Sequence, residues 1–234
     1  MIFKKALPQN LTKLYLAIDP TSKVDFQWLA DSIFECLASK PVAYAVNYGA
    51  DKNISKFQGA ISAGGVEYLE VLDTTGALLL TIGKWAIGKN EPDLYQCMVV
   101  GRLDEHYVSE LKIMKRFAID QDLVYGYSRE LRSDYNPASE TRIKRGFFST
   151  ETKSESSNVW MFNSQEMLAG SVKGVYPVNY WRTLAIEKLQ NVGFSLPKTI
   201  AGEGVYLFNA AQQQEIAREN QQFLNFVRFD GHGT

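Results

Sequence analysis

The sequence predicts an α+β protein, a mostly antiparallel sheet with helices packed on one face. Three observations carry that reading. The middle of the chain holds three period-two segments joined by turns too short for a crossover helix. Segments with a one-faced helical pattern occur before and after them. The interleaving also lacks the strict strand-helix alternation of a doubly wound parallel sheet.

Leu14, Leu16 and Ile18 alternate with Tyr15 and Ala17 as in a strand, and Asp19-Pro20 stops it. A helix follows. Asp25 offers an N-cap, Val24 a staple to Leu29, and Phe26, Leu29, Ile33, Phe34 and Leu37 share one face. Residues 42–48 read as a second strand ended by Gly49, and the polar stretch 50–62 as a loop or short helix. The meander comprises residues 66–72, 77–85 and 94–100, with turns at Asp73-Thr74-Thr75-Gly76 and Gly88-Lys89-Asn90-Glu91-Pro92. A second helix is expected at 104–118, with Tyr107, Leu111, Met114 and Ala118 on one face, and a strand at 123–127.

From residue 128 the periodicity breaks down. The polar, low-complexity tract 149–158 reads as an exposed loop, and 159–162 and 174–178 as short strands. Leu184, Ile186, Leu189 and Val192 suit a helix ended by Gly193. A last strand at 204–208 precedes a Gln-rich helix capped by Asn209 and running to residue 227, and the tail 228–234 is expected to fray. Residues 1–234 are expected to form a single domain; subdomains 1–122 and 123–234 are the alternative, with no internal repeat behind them.

A formal net charge of −1 supplies no global field to recruit nucleic acid or an anionic membrane, and neither is expected as a partner. The N-terminus shows no secretory signal, and the densest apolar run, 76–82, is strand-sized, so the expected compartment is the cytoplasm. Cys36 falls in a helical pattern and Cys97 in a strand-like one; both read as small buried hydrophobes, unpaired. With His106 and His232 they are too few and too scattered for a zinc site, and the sequence calls for no metal and no cofactor.

Catalytic signatures are equally thin. Asp120 and Asp122 flank Gln121 as turn or cap residues do, and Ala63-Gly64-Gly65 and Gly202-Glu203-Gly204 lack the spacing of a phosphate-binding loop. An enzyme reading requires a dispersed site assembled around His106, Tyr125, Arg142 and Asn179. The favoured reading is a non-catalytic protein that binds another protein. Its candidate contact residues are Tyr125, Tyr127, Asn136, Arg142, Arg145, Tyr176, Asn179 and Trp181, expected to gather in one surface region or cleft. Aromatic and Arg side chains dominate interface energetics, and Asn136 and Tyr176 each precede a proline that restricts them. The competing reading makes Val175, Val178 and Trp181 core, and Trp181 is expected to be at least half buried.

The arrangement Tyr125-Gly126-Tyr127, Tyr135-Asn136-Pro137, Arg145-Gly146, Val159-Trp160 and Gly174-Val175-Tyr176-Pro177-Val178-Asn179 resembles small bacterial proteins encoded beside polymorphic or contact-dependent toxins. The resemblance covers the C-terminal half. It implies a compact, cytoplasmic α+β immunity protein that neutralises a cognate toxin. Contact residues in such proteins are particular to each toxin, so the resemblance assigns none here.

Overall fold

The computed structural model describes residues 11–21, 24–35, 40–74, 78–86, 90–101, 107–120, 122–131, 135–136, 141–145, 150–154, 164–172, 175–191, 193 and 204–219. In chain order the strands are β1 (Leu11–Ile18), β2 (Ala43–Val46), β3 (Lys52–Asn53), β4 (Tyr68–Leu72), β5 (Leu78–Ala86), β6 (Asp93–Gly101) and β7 (Leu123–Leu131), then β8 (Tyr135–Asn136), β9 (Thr141–Arg145), β10 (Thr150–Ser154), β11 (Val178–Trp181) and β12 (Val205–Leu207). Nine of them form one sheet in the order β12-β11-β7-β1-β6-β5-β4-β2-β3, antiparallel at every step. The chain is thus α+β, built on an antiparallel sheet. Strands from before and after residue 122 share that sheet, because β1 pairs with both β6 and β7.

The central position of β1 explains its sequence. Leu14, Leu16 and Ile18 enter one core cluster, and Tyr15 and Ala17 enter another, so the strand is covered on both sides and reads apolar throughout. On the first face lie α1 (Phe26–Phe34), α2 (Phe57–Ser62) and α3 (Val108–Asp120), which contribute Leu29, Ile33, Phe57, Ile113, Met114 and Phe117. On the second lie α4 (Ser164–Leu168), α5 (Thr183–Asn191) and α6 (Ala210–Glu219), through Met167, Ala185, Leu189 and Ile216. Helices therefore pack on both faces of the sheet, and the one-face arrangement expected from the sequence is corrected. A period-two pattern shows that a strand has two faces but not which helix covers each.

Local signals set the ends of several elements. Asp25 caps α1 by accepting the Trp28 N–H at 2.9 Å. Asn209 and Gln212 close a reciprocal box at α6: Asn209 Oδ1 accepts the Gln212 N–H at 2.9 Å, and Gln212 Oε1 accepts the Asn209 N–H at 3.0 Å. The second long helix starts at Val108, directly after Tyr107, whose φ of +59° is not helical, and residues 104–106 of its expected span lie outside the described residues. β11 begins at Val178 rather than at 174. Pro177 has no N–H to give the ladder, and its carbonyl accepts from the Phe208 N–H at 2.9 Å.

Part of the tract expected as a loop is strand. Thr150–Ser154 pairs with Thr141–Arg145, and Tyr135–Asn136 completes a three-stranded sheet. A strand made of Thr, Glu, Lys and Ser shows no apolar alternation, which hid it from a periodicity argument. The expected strand 159–162, residues 36–37 and 192 of the helical faces, residues 75–77 and 87–89 of the turns, and the C-terminal stretch 220–234 lie outside the described residues.

Gly204 is required by its surroundings. Its φ is +85°, and a Cβ there would stand 2.3 Å from the Trp181 carbonyl oxygen. That close approach brings the Gly204 carbonyl to the Trp181 N–H at 3.0 Å and seats β12 against β11.

Candidate functional site

Five of the eight expected contact residues meet, and they meet inside the protein. In the register of β7 and β11, Tyr127 stands opposite Asn179 and Tyr125 opposite Trp181. Tyr176 stacks on Tyr127 with ring centroids 4.2 Å apart, and Tyr15 lies 5.3 Å from Tyr127 on its other flank. Trp181 packs on Tyr206 and Phe208 at 5.2 and 5.6 Å. Tyr125, Tyr127, Asn179 and Trp181 are buried, and Tyr176 is half-buried against the same cluster. The expected surface cluster is corrected for these residues. The rings fill the second core layer, a use that composition does not separate from surface recognition.

Asn179 has a local task. It is 0% exposed, its Oδ1 accepts the Tyr176 N–H at 3.0 Å, and its Nδ2 donates to the Tyr176 carbonyl at 2.6 Å. The amide thus acts as a short piece of neighbouring strand for a residue whose successor is proline. Asn136, Arg142 and Arg145 belong to the small sheet, opposite Thr141, Tyr135 and Thr150, and their side chains lie outside the described residues, as does His106. Of the dispersed catalytic set, Tyr125 and Asn179 are core residues, with the Asn179 amide committed to the backbone of Tyr176.

A different corner presents an aromatic ring to solvent. At the end of β2 the chain turns through Asn47 and Tyr48, with φ of +50° and +58°. Asn tolerates the left-handed region, whereas a bulky Tyr there is a genuine outlier. Asn47 pins the turn. Its N–H donates to the Tyr68 carbonyl at 2.8 Å, its Oδ1 accepts from the N–H groups of Glu67 and Tyr68 at 2.9 and 3.1 Å, and its Nδ2 donates to the Gly65 carbonyl at 2.7 Å. The result holds Tyr48 79% exposed, stacked on Tyr68 with centroids 4.1 Å apart and planes inclined by 14°.

Beneath the stack, the Tyr68 hydroxyl donates to Glu70 Oε1 at 2.5 Å. Partial burial, then the hydrogen bond and the charge of Glu70, then Tyr48 push the Tyr68 phenol well above its ordinary range, so it stays protonated as a donor. Glu70 is half-buried on the sheet face away from Leu69 and Val71, and its cross-strand neighbours are Ala45 and Thr81. Lys52 stands opposite Tyr44, whose ring belongs to the first core face, so it projects from the other side of the sheet. Among the described residues Glu70 has no cationic partner, and Tyr68 is its one hydrogen-bond donor.

The sequence does not mark this corner, since 42–48 reads as uninterrupted strand. The signal available was Asn47 two residues before Gly49, a pair suited to a turn. Nothing in the sequence places Tyr48 over Tyr68, which lies across the sheet. Among the described residues no group of three His, Cys, Asp or Glu side chains is placed to hold a metal ion, and no helix is long and apolar enough to cross a membrane. No family model, curated protein or solved structure matches the chain.

Proposed function

We propose that this protein works by binding another protein at the Tyr48 corner, and that it does so in the cytoplasm as an immunity protein neutralising a toxin. One observation carries the binding reading: a tyrosine held in solvent by a strained backbone. A left-handed conformation costs a non-glycine residue about 1–3 kcal/mol and persists where surrounding bonds over-determine it, characteristically at ligand clamps and switch regions. The Asn47 bonds supply that restraint here. An exposed, pre-stacked Tyr has little side-chain entropy left to lose on association, and Tyr is among the residues that dominate interface energetics. The resemblance of the C-terminal half to toxin-associated immunity proteins supports a toxin as the partner.

The test is co-expression with the product of a neighbouring reading frame that ends in a toxin-like domain. The expected result is a co-purifying complex and protection of the host cell, both weakened at least tenfold by Tyr48→Gly, a change costing roughly 2 kcal/mol of hot-spot energy. Glycine suits the left-handed turn, so the melting temperature of that variant stays within a few degrees of the parent, by about 2–4 °C per kcal/mol for a chain of this size. No complex and no protection overturns the immunity reading. Full binding by Tyr48→Gly overturns the assignment of the surface.

A further inference from the structure

We infer that the group received at the Tyr48 corner is an arginine side chain of the partner protein, its guanidinium paired with Glu70 and lying against the tyrosine stack. The inference rests on the binding reading above and deepens it. Its ground is charge complementarity. Glu70 is a half-buried carboxylate with no cation among the described residues, flanked across the sheet by uncharged Ala45 and Thr81. Tyr68 engages one of its oxygens and leaves the other without a hydrogen bond among the described residues. Taking a carboxylate partly out of water without a cation is unfavourable, and a cation delivered by a partner relieves it.

The tyrosines select which cation. The faces of a stacked phenol pair carry negative quadrupole charge and attract cations. A guanidinium suits such a site better than an ammonium: it is planar, stacks on rings, is more weakly hydrated, and meets a carboxylate through two parallel N–H donors. Phosphates are disfavoured, since Glu70 repels them and Lys52 projects from the opposite face of the sheet. A sugar ring stacked on Tyr48 is the neutral rival, and the experiment includes it.

The probe is N-acetyl-arginine methylamide, titrated into the full isotope-labelled chain while the backbone amides of residues 47–49 and 67–71 are followed by NMR. The citrulline analogue, equal in shape but uncharged, and methyl glucoside run in parallel. The expected result is saturable shifts with arginine at these amides, at least several-fold weaker responses from the other two, and roughly tenfold weaker arginine binding in Glu70→Gln. Glutamine still accepts from the Tyr68 hydroxyl, so that variant tests charge rather than folding, and an unchanged melt verifies it. Equal responses to arginine and citrulline, a preference for the glucoside, or full arginine binding by Glu70→Gln each overturn the inference. In co-expression the two claims separate. Loss of the partner with Tyr48→Gly but not with Glu70→Gln keeps the docking surface and removes the arginine, whereas full binding by both variants removes both.

Discussion

Replacing Asn179 isolates a single structural element, the amide that stands in for a strand beside Tyr176. Asn179→Ala removes the acceptor of the Tyr176 N–H and the donor to its carbonyl, bonds of 3.0 and 2.6 Å, at a position fully closed to solvent. A buried backbone group left unpaired costs about 1–3 kcal/mol, so two of them cost about 2–6 kcal/mol. For a chain of this size each kcal/mol shifts the melting temperature by about 2–4 °C, which gives a fall of roughly 4–24 °C. Asn179→Asp sharpens the test. At neutral pH the carboxylate accepts from the Tyr176 N–H but faces the Tyr176 carbonyl with no proton to give, and a buried unpaired charge costs at least as much as the alanine. Protonated, the same group accepts and donates as the amide does. Burial raises the folded pKa of the new carboxyl above its unfolded value of about 3.9, so its favourable contribution is fully present below that value and is lost as pH rises through the folded pKa. Thermal melts of parent and both variants across this range decide the matter. The expected pattern is an Asp variant that approaches the parent in acid and falls away toward neutrality, beside an Ala variant whose deficit does not depend on pH. A pH-independent deficit for the Asp variant, or an Ala variant melting within about 1 °C of the parent, refutes the strand-mimic account.

Trp181→Ala empties the space between Tyr206 and Phe208 and is expected to cost about 3–5 kcal/mol, read as a lower melting temperature with loss of near-ultraviolet dichroism. Alkaline titration should expose the raised phenols: burial, then the charges of Glu130 and Glu110 and the Glu130 hydrogen bond, push Tyr107 to about 12, and Tyr68 is raised as well. Their contribution is fully present below the unfolded tyrosine value of about 10 and disappears as pH rises from there through the folded values. Chemical denaturation at pH about 9 and about 11.5 should therefore show a loss that shrinks in Tyr107→Phe and Tyr68→Phe. Cys97 is free and fully buried, and burial raises its thiol; alkylation mapped by peptide mass should reach it only in denaturant.

Much of the fold was legible in the sequence because its signals are local. Alternation in 14–18, the turns of the 66–100 meander, the Asp25 cap and the Asn209 box act within a few residues, and β1, β4 to β6, α1 and α6 follow them. The antiparallel α+β class follows from short meander connections. What the tertiary structure decided are relations between distant segments. The sequence shows Tyr125, Tyr127 and Trp181 as amphipathic rings, and such rings serve core and interface alike. They are interior because α4, α5 and α6 cover that face of β7 and β11. The polar strand Thr150–Ser154 was illegible for the opposite reason, since Thr, Glu, Lys and Ser carry no apolar alternation to mark it. The Tyr48 corner depends on both kinds of information. Asn47 before Gly49 announces a turn, but the stack forms only when β4 lies beside β2 and brings Tyr68, twenty residues on, beneath Tyr48. Periodicity states what each segment prefers. Which ring ends in water is decided by strand order, because exposure depends on what the rest of the chain leaves uncovered.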